Sequence, residues 1–249
     1  MKIGIFDSGI GGVTVLLELL KFLPNEQYVY YSDSANNPYG NKSKAEIIAL
    51  SQRASEYLLE KGCEILVVAC NTASAEAADI LRQKFPDVPI YAIQPAIKAV
   101  YDSEPNPSKP SLVLATHATL NSKKFRELCL KYPVENLQLI DCNGLAELIE
   151  AGDIAGVRNF LEDKIGNYKN SVENVVLGCT HYPLVADEIR QTLGDNIKFF
   201  NGAKGLARHM AEKYATTQSI PGSLEIAFYD TAHNPDKEKR FKYIVGRLW

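Results

Sequence analysis

Two short apolar runs in this chain end in the same way, and together they dictate a parallel α/β architecture. Ile65-Leu66-Val67-Val68-Ala69 passes into Cys70-Asn71-Thr72, and Val175-Val176-Leu177-Gly178 passes into Cys179-Thr180-His181. Continuous aliphatic runs of this length suit strands covered on both faces. Each cysteine is therefore expected where a buried strand gives way to a helix. Backbone N–H groups and the positive helix end at such a turn favour both an anionic ligand and a partly ionised sulfur. Two such thiols facing one substrate suit a reaction that inverts a centre.

The alternation of strand-like runs with helical periodicity continues almost from end to end. Lys2 to Phe6 reads as the first strand. Val13 to Leu23 keeps Thr14, Glu18 and Lys21 on one polar face, with Pro24 as a stop. Tyr28 to Tyr31 is a second strand, and Ser43-Lys44-Ala45-Glu46 is a capping box before a helix turning Ile47, Ile48, Leu50, Ala54 and Leu58 inward. Three prolines between Asp102 and Pro110 mark an exposed loop. Beyond it Ser111 to Thr116 echoes the first strand, and Asp153 caps a helix bearing Val157, Phe160 and Leu161. The tail supplies a strand, Leu224 to Tyr229, and a helix opened by Asn234-Pro235 that carries Phe241, Ile244, Val245 and Leu248. The predicted fold is α/β: two similar parallel-sheet domains, 1–92 plus 206–249 and 93–205, related by pseudo-symmetry with the active site in the cleft between them.

Composition removes several function classes. With 249 residues, 46% hydrophobic, the chain is long enough to bury substantial cores. A net charge of -3 and a pI near 5.9 give no global attraction to nucleic acid or an anionic membrane, and no apolar run is long enough to span a bilayer. The start lacks a secretory h-region, so the cytoplasm is the expected location. Five cysteines with no C-x-x-C argue against a disulfide framework or a zinc ribbon, and reduced thiols are expected.

Ligands of open α/β sheets sit beyond the carboxyl ends of the strands. Those positions are Asp7-Ser8, Asp33 to Gly40, Cys70 to Thr72, Thr116 to Thr119 and Cys179 to His181. Gly9-Ile10-Gly11-Gly12 invites a dinucleotide reading, and Asp33 favours it. Thr14 stands where that fingerprint needs a third glycine or alanine, however, and Asp7 would repel a pyrophosphate. Cys63, Cys129 and Cys142 read as small hydrophobes. A helix end lowers a thiol pKa of about 8.5 by roughly 1.5 units at most, so each reactive thiol needs a neighbouring base. Asp7 is placed for Cys70 and His181 for Cys179. His117, His209 and His233 carry no comparable signal, and Cys70, Cys179 and His181 lack compact zinc spacing.

The chain resembles the glutamate racemases through Phe6-Asp7-Ser8-Gly9-Ile10-Gly11-Gly12, Asp33-Ser34-Ala35 with Pro38-Tyr39-Gly40, Ala69-Cys70-Asn71-Thr72-Ala73-Ser74-Ala75, and Gly178-Cys179-Thr180-His181-Tyr182-Pro183-Leu184. The resemblance implies cofactor-independent, metal-free interconversion of L- and D-glutamate. Cys70 would take the α-proton of D-glutamate, assisted by Asp7. Cys179, assisted by His181, would protonate the opposite face. Glu150 would orient His181, and Glu147 is a possible substitute. Asn71, Thr72, Thr119 and Thr180 would bind the α-amino and α-carboxylate groups, with Thr116 nearby. Ser8, Tyr39 and Gly40 would hold the side-chain carboxylate, with Pro38 in the same segment. Asn36-Asn37 and Gln94 depart from the family pattern. The resemblance further implies a role in supplying D-glutamate to peptidoglycan and a homodimer. Turnover of aspartate or another acidic amino acid, and a non-catalytic amino-acid-binding protein, are the competing readings.

Overall fold

Strand β1 (Lys2–Asp7) is buried from Ile3 to its end, and it is the centre from which the first sheet is built. The computed structural model describes residues 1–104, 107–214 and 225–248. Its chain divides into two compact units, Met1–Ile93 with Ala203–Trp249, and Gln94–Gly202.

In the first unit β1 pairs in parallel with β2 (Gln27–Ser32) on one side and β3 (Ile65–Val68) on the other. β4 (Ile90–Ala92) extends the sheet beyond β3. The second unit repeats the plan with β5 (Ser111–Ala115) between β6 (Leu137–Asp141) and β7 (Asn174–Leu177), and β8 (Lys198–Phe200) beyond β7. β9 (Glu225–Asp230) adds a parallel edge to the first sheet beside β2. Read in chain order, both units place their strands 2-1-3-4, the doubly wound order whose switch point lies between strands one and three. The ends of β1 and β3, and of β5 and β7, flank those switch points.

Helices cover the sheets because their apolar stripes match the strand faces. Ser43 opens the helix Lys44–Glu60 with a complete capping box, and Ile47, Leu50, Ala54 and Leu58 pack with Ala73, Ala77 and Leu81 against Leu66 and Val68. On the other face lies the helix Val13–Phe22, and the terminal helix Pro235–Leu248 stacks Phe241 on Phe228 at 4.4 Å. In the second unit, Leu145, Ile149, Val157, Leu161 and Ile189 enclose one side of β5 and β7. Ile97, Val100 and Phe125 enclose the other.

Some elements differ from expectation. The helix Ile97–Ser103 runs through Asp102 and Ser103, and Pro107 is buried rather than looped out. Val100 supplies the reason: its burial against the sheet keeps the helix going past the first polar residues. β4, β6 and β8 are short edge strands with half-buried faces, so their apolar pattern is weak. In the terminal helix Phe241 is buried while Ile244 and Val245 are half-buried; Leu224, Trp249 and the Leu248 side chain lie outside the described residues.

Candidate active site

Asp7 closes β1 fully buried, and its Oδ1 accepts the Gly9 N–H at 2.9 Å, which folds the next residues back beneath the strand end. Tyr30 in β2 donates its hydroxyl to the Gly9 carbonyl at 2.8 Å. Gly12 completes this packing: a Cβ there would lie 2.7 Å from both Asp7 Cβ and Tyr30 Oη. The loop therefore delivers Ser8 Oγ to a position 3.8 Å from Cys70 Sγ and 3.5 Å from Asp7 Oδ1. Thiol, hydroxyl and carboxylate form a continuous polar path.

Cys70 is the N-cap of the helix Asn71–Lys84, with Sγ accepting the Ala73 N–H at 3.5 Å. A sulfur in that place replaces the oxygen of an ordinary cap and is favoured as thiolate by the helix dipole. Asn71 and Thr72, the first two helical residues, are buried beside it. Asn71 Oδ1 is a buried acceptor with no hydrogen-bond partner among the described residues. Tyr39 packs in the same cluster as Cys70 and donates its hydroxyl to Asp33 Oδ2 at 2.6 Å. Burial, with the Asp33 charge and hydrogen bond, raises the Tyr39 pKa far above its ordinary value, so that proton is committed to Asp33. Pro38 follows a cis peptide, and Gly40 is half-buried after Tyr39.

In the second unit Thr116 caps the short helix after β5, its Oγ1 accepting the Thr119 N–H at 3.3 Å and donating to Thr119 Oγ1 at 3.0 Å. After β7, Cys179 Sγ lies 3.6 Å from His181 Nδ1, and His181 Nε2 lies 2.7 Å from Glu150 Oε1. All three side chains, and Thr180, are largely buried. The carboxylate against His181 is that of Glu150, in the helix Leu145–Ala151 that also carries Glu147. With Nε2–H directed at Glu150, Nδ1 is the nitrogen that faces the sulfur. Burial opposes the imidazolium, yet the hydrogen bonds and charges of Cys179 and Glu150 outweigh it, and the His181 pKa stands well above its ordinary value. The trio is a hydrogen-bonded chain of thiol, imidazole and carboxylate, an arrangement suited to passing a proton between sulfur and imidazole.

One expectation fails at Cys179. No α-helix begins there; a turn closed by the Tyr182 N–H on the Cys179 carbonyl leads into a 3₁₀ segment, Tyr182–Val185, and the α-helix starts only at Ala186. Pro183 lacks an N–H and disfavours the α conformation at Tyr182. Cys70 therefore sits at the positive end of a helix, while Cys179 has a histidine and a carboxylate instead.

The other cysteines and histidines take different places: Cys63 lies in the core of the first unit, and Cys142 packs in the same core cluster as Cys179. Burial pushes the Cys63 thiol up to about 11 and that of Cys142 to about 12, as inert core cysteines require. His117 is exposed and pairs with Asp141 at 2.8 Å, and His209 and His233 are also exposed. Among the described residues no three His, Cys, Asp or Glu side chains gather as metal ligands. Sequence reasoning passed over Asp230 and Thr231, which meet Ser34 and Asp33 at the end of β2, and gave Asn36, which donates to Asp33, only as a departure from the family pattern. Thr231 directly follows β9, and placing that strand beside β2 would have exposed the signal.

Two α/β units of matching strand order, each ending its third strand in a buried cysteine among hydrogen-bonding side chains, define the class: a doubly wound protein with paired strand-end thiols. A profile of the Asp/Glu/Hydantoin racemase family matches residues 19–210. A glutamate racemase of Clostridium perfringens (strain ATCC 13124) is 44% identical over 216 residues, covering 85% of this chain and 82% of that protein. The crystal structure of Campylobacter jejuni glutamate racemase matches with a TM-score of 0.85 at 28% identity, covering 100% of both chains. That of Escherichia coli glutamate racemase, in complex with L-glutamate and the activator UDP-MurNAc-Ala, matches with a TM-score of 0.84 at 27% identity, covering 99% of this chain and 94% of that one. The chain belongs to the Asp/Glu/Hydantoin racemase family and is an isomerase of that family.

Proposed function

We propose that this protein interconverts L- and D-glutamate by two-base proton transfer, without pyridoxal phosphate or a metal ion. The observation that carries the proposal is that each strand-end cysteine has its own proton partner: Ser8 and Asp7 for Cys70, His181 and Glu150 for Cys179. With D-glutamate, Cys70 as thiolate takes the α-proton while the Cys179 thiol gives its proton to the opposite face. Cys70 ends as thiol and Cys179 as thiolate. From L-glutamate the roles reverse; between turnovers Cys70 passes its proton to its carboxylate partner, Cys179 regains one from His181, and proton exchange of Asp7 and His181 with solvent restores the starting state.

Asn71 Oδ1, a buried acceptor, suits the α-ammonium group, and the hydroxyls of Thr72, Thr116, Thr119 and Thr180 suit the α-carboxylate. Ser8 and the Pro38-Tyr39-Gly40 segment take the distal carboxylate. Since the Tyr39 hydroxyl proton is held by Asp33, that residue contributes shape and main chain there. The E. coli relative's complex with L-glutamate supports this substrate. D-Glutamate for peptidoglycan, a cytoplasmic location and a homodimer complete the proposal; among the described residues no helix is long and apolar enough to cross a membrane.

Circular dichroism of L-glutamate incubated with the protein is the test. The signal is expected to decay to zero as D-glutamate forms, and to do so equally after chelator treatment. Turnover of aspartate alone, or ligand protection without turnover, would contradict the proposal.

A further inference from the structure

The Asp33-Ser34-Ala35 segment bears no proton-transfer role in the proposed mechanism, yet it is densely hydrogen-bonded. Asp33 is buried, and its carboxylate collects three donors: Tyr39 Oη at 2.6 Å on Oδ2, and Asn36 Nδ2 at 2.9 Å and Thr231 Oγ1 at 3.0 Å on Oδ1. Thr231 Oγ1 also accepts the Ala35 N–H at 3.0 Å. Beside it, Asp230 accepts from Ser34 Oγ and, at 3.1 Å, from the Asn234 N–H. The parallel register that sets Ser32 opposite Asp230 brings these residues level.

The consequence is geometric. Between Ser34 and Asn41 the chain forms only two short 3₁₀ turns, Ser34–Asn36 and Tyr39–Asn41, so its shape is set by bonds to neighbours. One hydroxyl, that of Thr231, ties the segment by its main chain at Ala35 and, through Asp33, by the ring of Tyr39. We infer that Thr231, at the end of the C-terminal strand, is a positioning residue that fixes the Pro38-Tyr39-Gly40 segment and so sets discrimination for a dicarboxylate with glutamate's chain length. Asn36, a departure from the family pattern, serves the same carboxylate. The inference rests on the proposed glutamate turnover.

Thr231→Val keeps the shape of the side chain and removes only the hydroxyl. The expected result is a rise in KM for glutamate of roughly five- to tenfold, the effect of leaving Ala35 N–H and one lone pair of Asp33 unmatched. The kcat should stay within about twofold, and the ratio of kcat/KM for glutamate over aspartate should fall. Thr231→Ser restores the hydroxyl and should restore both values. Should Thr231→Val fail to fold, Asn36→Ala removes a second donor and is expected to shift KM and the ratio in the same direction. Wild-type protein that turns over glutamate, with variants whose KM and substrate ratio are unchanged or whose kcat alone falls, overturns this inference only. A wild type with no glutamate turnover overturns the proposed function itself.

Discussion

Replacing Glu150 by glutamine tests the proposal that the thiol–imidazole–carboxylate unit of Cys179, His181 and Glu150 serves one face of the substrate. The Glu150–His181 contact is 2.7 Å between side chains that are 8% and 2% exposed, so solvent screens it little. A hydrogen bond to a charged group contributes about 1.5–3 kcal/mol and a neutral one about 0.5–1.5 kcal/mol, so the substitution costs the imidazolium about 1–2 kcal/mol. Carried into proton removal by Cys179, this is a slowing of roughly five- to thirtyfold. Racemisation rates cannot locate the loss, because L- and D-glutamate are equal in free energy and kcat/KM must fall equally in both directions. A glutamate analogue with a leaving group on the β-carbon separates the faces, since one deprotonation suffices for elimination. Glu150→Gln should slow elimination from the L-form by that factor and leave the D-form within about twofold. Equal losses for both forms, or none, would refute the assignment of Glu150 to the Cys179 side.

Gly12→Ala forces a Cβ to within 2.7 Å of Asp7 Cβ and Tyr30 Oη, both buried, and should lower stability by about 1–3 kcal/mol and reduce activity. A melting temperature and activity equal to wild type would contradict the packing described around Asp7. Burial works against a charged His181, but its hydrogen bonds with Cys179 and Glu150 raise its folded-state pKa above the unfolded value near 6.5. Its stabilisation is therefore complete below about pH 6.5 and lost as pH climbs through the folded value. The stability gap between wild type and His181→Asn should be widest in acid and narrow with rising pH, and an NMR midpoint for His181 below 6.5 would reverse the sign.

The features legible in the sequence were those fixed by local physics. Ile65 to Ala69 and Val175 to Leu177 are covered on both faces, so their residues are uniformly apolar and their polar ends stand out. Ser43 and Asp153 announce helix starts because a cap is a contact within three residues. Where non-local pairing decides, the pattern is silent. β6 is a half-exposed edge with Leu139 49% exposed, and nothing in its composition separates it from a loop. Cys179 shares the apolar approach of Cys70, but Pro183 redirects the chain into a 3₁₀ turn, so the two thiols acquire different partners. The cluster on Asp33 depends on β9 lying next to β2, a pairing between residues about two hundred positions apart.

Substitution of each thiol in turn tests the central claim most directly. Cys70→Ser and Cys179→Ser should each lose most racemisation, because a hydroxyl is a far weaker acid and base than a thiol, while melting temperatures change little. With the β-leaving-group analogue, Cys179→Ser should still eliminate from the D-form and Cys70→Ser from the L-form, each failing with the opposite enantiomer. Variants that treat the two enantiomers alike, or either variant racemising glutamate at near the wild-type rate, would contradict a mechanism in which two cysteines serve opposite faces of one α-carbon.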